Sequence, residues 1–186
     1  MRAKTHWYRR DRAPAPEEVG AAAAMRAWRA ASQTVRNLSE DGPVTDRAGG
    51  HLALVQELLL FAVQFTDRLC WMQGVADETR RRLVEGMVLR LADGVEENAG
   101  VKGASSRFIS LAGERLPLYA SIAYEGEAPG FPSYNALAAS ACEACGHGRD
   151  TWLHARLVEV DGPEFIAELR PGLVGLLENL HAEHSA

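Results

Sequence analysis

The residue types that do chemistry stand closest together in the stretch CEACGHG, residues 142–148, where two cysteines lie three apart and a histidine follows two residues later. Such a cluster suggests haem attachment, a redox pair or a metal site. Covalent haem attachment needs histidine directly after the second cysteine, and Gly146 stands there instead. A reactive Cys-x-x-Cys pair draws its thiolate from the positive end of a helix. Cys142 and Cys145 fall at the far end of a predicted helix, where the partial charge is negative and disfavours thiolate. Structural zinc takes four ligands. Cys142, Cys145 and His147 supply three, so His154 or Cys70 would have to complete the set through the fold. A plainer reading competes with all of these. Leu137, Ala138, Ala141, Cys142 and Cys145 recur at one helical face, a buried cysteine behaves as a small hydrophobe, and Gly146 is a helix stop. The expectation is a core-facing helix end, with a zinc site on Cys142, Cys145 and His147 as the alternative.

A second candidate is a polar strip. Within HLALVQELLLFAVQFTDRLCWMQ, residues 51–73, apolar side chains take almost the whole helical circumference, and Glu57, Gln64 and Arg68 share the one narrow polar face. One reading is a polar pocket inside a bundle, with Arg68 holding a carboxylate or phosphate ligand. The other is a solvent-facing seam, which is the expectation, because charged residues are seldom fully buried unless paired.

Other constellations are incomplete. A diiron carboxylate bundle needs two Glu-x-x-His pairs and two further glutamates, and only Glu178 with His181 fits, close to the end of the sequence. There is no Gly-x-Ser-x-Gly elbow, no Gly-x-x-x-x-Gly-Lys loop and no Gly-x-Gly-x-x-Gly. AGVKGASS, residues 99–106, would present a helix N-terminus able to receive an anion, although an ordinary loop is the simpler expectation.

The elements that must position these residues are helical. β-branched residues are sparse and no segment alternates cleanly, while alanine, leucine, glutamate and arginine dominate. Pro16 followed by Glu17 and Glu18 starts a first helix that ends before SEDGPVTDRAGG. The second helix spans about 51–73. The third spans about 77–98 with Asp77 as its N-cap, and carries Leu83, Val84, Met87, Val88, Leu91 and Val95 as one apolar stripe. A helix from 104 to about 124 should bend at Pro117, and one from 133 should stop at Gly146. Two more follow, the last interrupted at Pro171. The expected fold is an all-α multi-helix bundle built on the antiparallel 51–73/77–98 hairpin, with further short helices packed on it. The second helix should be its central rod, or lie in a subunit interface.

The 186 residues suffice for one core. Charge divides the chain unevenly: residues 1–16 carry +4, which leaves −9 on the remainder within a total of −5. The expected organisation is therefore a basic N-terminal arm, 1–16, and a single helical domain, 17–186. An acidic body repels nucleic acid and anionic membranes. The longest apolar run, residues 58–63, falls far short of the ~20 needed for a membrane span. The charged start lacks an apolar signal region, and three cysteines make no disulfide framework, so a cytoplasmic location is expected. The expected function is a non-enzymatic interaction, scaffold or accessory protein, self-associating or bound to a protein partner. The alternative is a helical bundle that binds a small ligand or a metal ion.

Overall fold

A computed structural model describes residues 14–42, 44, 49–124, 126–146 and 151–182, apart from the side chains at 179, 181 and 182. Most of the basic arm, residues 1–13, thus lies outside the described residues. Within them the chain is all-α, with no strand: α1 Pro16–Asp41, α2 Gly50–Met72, α3 Asp77–Ala99, α4 Ala104–Ala120, α5 Phe131–Cys145, α6 Thr151–Glu159 and α7 Asp161–Ala182. No helix among these residues is long and apolar enough to cross a membrane.

The circumferential hydrophobicity of α2 decides the architecture. A helix that is apolar all round must be covered all round, and α2 packs against α1, α3, α4, α5 and α7. Leu54, Leu58, Leu59, Leu60, Phe61, Val63 and Phe65 are buried, and they join a single apolar cluster that draws on all seven helices. α2 is therefore sheathed by its own chain over most of its length, with Trp71 at its C-terminal end left exposed. α3 obeys its stripe, with Leu83, Met87, Leu91 and Val95 buried and Arg81, Glu85 and Asp93 exposed.

α1 and α3 approach each other closely. A Cβ on Gly20 would stand 2.1 Å from the Leu83 carbonyl oxygen, and one on Gly86 would stand 2.7 Å from the Glu17 Cα. Buried alanines at 23, 24, 27, 30 and 31 extend this small-residue face of α1. At the crossing the Arg82 guanidinium donates to both Glu17 carboxylate oxygens, at 2.7 and 3.0 Å.

Three local expectations change. Ala76, not Asp77, is the N-cap of α3, and Asp77 joins Glu78 as an acid in the first turn. α4 runs through Pro117 and ends at Ala120, and α7 runs through Pro171 without interruption. A proline deprives the carbonyl four residues back of its donor. Here those carbonyls belong to Gly113 and Ala167, both on exposed faces where water can serve them.

Candidate functional site

The polar strip of α2 faces α4. Glu57 has no exposed surface and Gln64 is also buried, which overturns the expected solvent-facing seam. The reason is that α4 supplies the partners. The Arg115 Nε donates to the Glu57 carboxylate at 3.0 and 3.2 Å, and the Tyr119 hydroxyl donates to its Oε2 at 3.2 Å. Arg115 and Tyr119 stand four residues apart, so both reach the same side of α4. Phe61 closes the other side, edge-on to the Tyr119 ring at 5.4 Å between centroids. Burial lifts the Glu57 carboxyl above its ordinary value, and the attraction of Arg115 offsets only part of this. The Tyr119 hydroxyl is raised too, first by burial and then by the adjacent Glu57 charge.

Arg115 also reaches α5, where its Nη2 donates to the Glu143 carboxylate at 3.3 Å. Glu143 is the acid between the two cysteines of CEACGHG. The two stretches singled out from the sequence are therefore brought to one place, with a single guanidinium tying α2, α4 and α5 together. Leu137, Ala138, Ala141, Cys142 and Cys145 are all buried, and Gly146 ends α5 in the left-handed conformation at φ 79° and ψ 14°. The Cys145 thiol lies 3.6 Å from the Gly50 carbonyl oxygen at the start of α2. Burial, with Cys142 and Glu57 adding to it, pushes Cys145 up to about 11, and burial pushes Cys70 up to about 12. Both are thiols rather than thiolates at neutral pH. No group of three or more His, Cys, Asp or Glu side chains suited to a metal occurs among the described residues. His147, the third member of the candidate zinc set, lies outside the described residues, as do His184 and the side chain of His181.

Arg68, at the far end of the strip, has a different setting. Its Nη2 donates to the Ile122 carbonyl at 3.4 Å, just past the end of α4. Its guanidinium lies 5.0 Å from the centroid of the Tyr124 ring and 5.8 Å from that of Trp71. Trp71 is 58% exposed. The Tyr124 hydroxyl is buried and has no hydrogen-bond partner among the described residues, and burial raises it to about 12. Asp67 and Asp77 sit next to this cluster, joined by Arg80 at 3.4 and 3.1 Å.

The anion-receiving helix start of AGVKGASS also exists, and the chain fills it. Glu96 of α3 accepts from the backbone N–H groups of Gly103 and Ser105 at 3.0 and 2.7 Å. These two bonds hold its carboxyl below the ordinary value.

The residues missed from sequence are Arg115, Tyr119 and Glu143. Their one local signal is the i,i+4 spacing of Arg115 and Tyr119 within an otherwise apolar helix turn. Comparison with protein-family models, with curated proteins and with solved structures finds no match for this chain.

Proposed function

We propose that this chain is a non-enzymatic interaction protein that associates with a second copy of itself through the arginine–aromatic patch at the C-terminal end of α2. The observation that carries the reading is Arg68 held against the faces of Tyr124 and the largely exposed Trp71. Trp, Tyr and Arg are the residue types that dominate binding energy at protein interfaces. A two-fold interface must be self-complementary, because the same patch meets itself. This patch carries a cation, Arg68, with no ion pair among the described residues, beside Asp67 and the exposed Asp77. Arg68 of one copy thus has carboxylates to meet on the other, and Trp71 has an apolar face to cover. The buried chemistry supports the non-enzymatic part of the reading: the Glu57 carboxylate is engaged by Arg115 and Tyr119, and burial keeps the Cys70 and Cys145 thiols protonated.

Sedimentation velocity across a concentration series is the test. A concentration-dependent dimer, lost in Trp71→Ala and Arg68→Ala while the melting curve is retained, is expected. A strict monomer at the highest soluble concentration overturns the reading. The Tyr124 hydroxyl, which lies beside Arg68 and has no partner among the described residues, favours a second reading, in which a small carboxylic acid occupies the patch. That reading predicts a thermal shift with acids that Arg68→Ala abolishes.

A further inference from the structure

α1 and α7 leave between them a half-open cavity of about 360 Å3. Its floor is apolar, with Met25 and Ala30 from α1 and Leu169 and Leu176 from α7. Its rim is charged, with Arg26 and Arg29 on the α1 wall and Glu168 on the α7 wall. Arg26 lies across α7 at Gly172, where a Cβ would stand 2.5 Å from its Nη1. The glycine therefore leaves room for the guanidinium to bend over the cavity. Neither arginine has an ion pair among the described residues. Most other arginines there do: Arg80, Arg81, Arg82, Arg90, Arg115, Arg156 and Arg170 all pair with carboxylates.

We propose that this cavity binds a medium-chain acyl carboxylate, with the chain on the apolar floor and the headgroup between Arg26 and Arg29. Two guanidinium groups present the planar forks that suit a carboxylate. The nearby Glu168 reduces the rim to a net single positive charge, which matches a monoanion and disfavours a dianionic phosphate headgroup. The volume falls within the range of small-molecule sites, which are mostly apolar with a few placed polar groups. The site is separate from the α2 patch and stands whether or not the chain dimerises.

Isothermal titration of the full-length protein with decanoate, octanoate and decanol tests it. Decanoate is expected to bind saturably at one site per chain. Octanoate, two methylenes shorter, should bind roughly fifteenfold more weakly, and uncharged decanol at least about tenfold more weakly. Arg26→Gln with Arg29→Gln should cost decanoate at least about tenfold, with an unchanged melting curve because both side chains are exposed. Glu168→Gln should leave binding equal or tighter. Ala22→Phe, which fills the cavity from the α1 wall, should abolish it. Absence of saturable decanoate binding, equal affinity for decanol, or unaltered binding in the double arginine variant would each overturn the proposal. So would retention of binding in Ala22→Phe, or its loss in Arg68→Ala alone, which would move the ligand to the α2 patch.

Discussion

Replacing Arg115 by leucine should expose the cost of burying Glu57. The substitution removes both Nε hydrogen bonds and the only cation that contacts this carboxylate among the described residues. Breaking a buried pair from one side costs about 3–5 kcal/mol, because the remaining charge is left in a poor environment. Glu57 can relieve the strain by taking a proton, and burial has already lifted its carboxyl above the ordinary 4.5. Without Arg115 the folded-state pKa rises further. A carboxyl whose folded pKa exceeds its unfolded value binds more protons in the folded state, so stability falls as pH rises from the unfolded pKa through the folded one. The slope in that window is at most about 1.4 kcal/mol per pH unit for one group. Arg115→Leu should therefore cost about 3 kcal/mol at pH 8, a melting point lower by about 6–12 °C for a chain of this length, and much less at pH 5. Urea unfolding followed by circular dichroism at both pH values measures this. Adding Glu57→Met should recover most of the loss, since a well-packed apolar pair can replace a buried ion pair at little cost. A loss below about 1 kcal/mol at pH 8, or one that does not shrink on acidification, would refute the account of Glu57 as a charge dependent on Arg115.

Three further outcomes are expected. Gly20→Ala should destabilise by about 1–3 kcal/mol, as overpacking does, because its Cβ would meet the α3 backbone at 2.1 Å; a thermal melt unchanged from wild type would contradict that contact. Glu96→Gln should flatten the acid limb of the stability curve: Glu96 sits below its ordinary value of 4.5, so its contribution is complete above that value and lost as pH falls through the lowered pKa, as urea midpoints between pH 5 and pH 3 would report. In a thiol-reagent assay at pH 8, Cys70 and Cys145 should react far more slowly in the folded protein than in guanidinium, because they are buried and protonated, at about 12 and about 11; two thiols titrating at once in the native protein would show that burial to be wrong.

The central position of α2 was legible from its own residues, since no one-sided packing can cover Leu58, Leu59, Leu60 and Phe65 together. The core-facing cysteines were legible for the same reason, through their spacing with Leu137 and Ala141. The direction of the Glu57 strip was not. A lone charged strip on a buried helix reads as solvent-facing until a partner is found, and Arg115 lies 58 positions away on an element whose rotation no local pattern fixes. The expected interruption at Pro171 failed for a related reason. Pro117 and Pro171 do cost a hydrogen bond, but whether a helix survives depends on which side the orphaned carbonyl faces, and that is a tertiary property. Nothing in the local sequence marks Arg26 and Arg29, because the cavity they line exists only once α7 lies beside α1.

The paired glycines between α1 and α3 also fix how far one helix may slide along the other. Gly20 receives the α3 backbone at Leu83 and Met87, and Gly86 receives α1 at Glu17, so each helix is notched for the other. Sliding α1 by one turn, about 5.4 Å, would present Pro16 or Ala24 where Gly20 now sits. Either would drive a Cβ into peptide atoms. The seam therefore works like a key in a lock with a single setting, and the axial position of the first helix is set by the absence of two methyl groups.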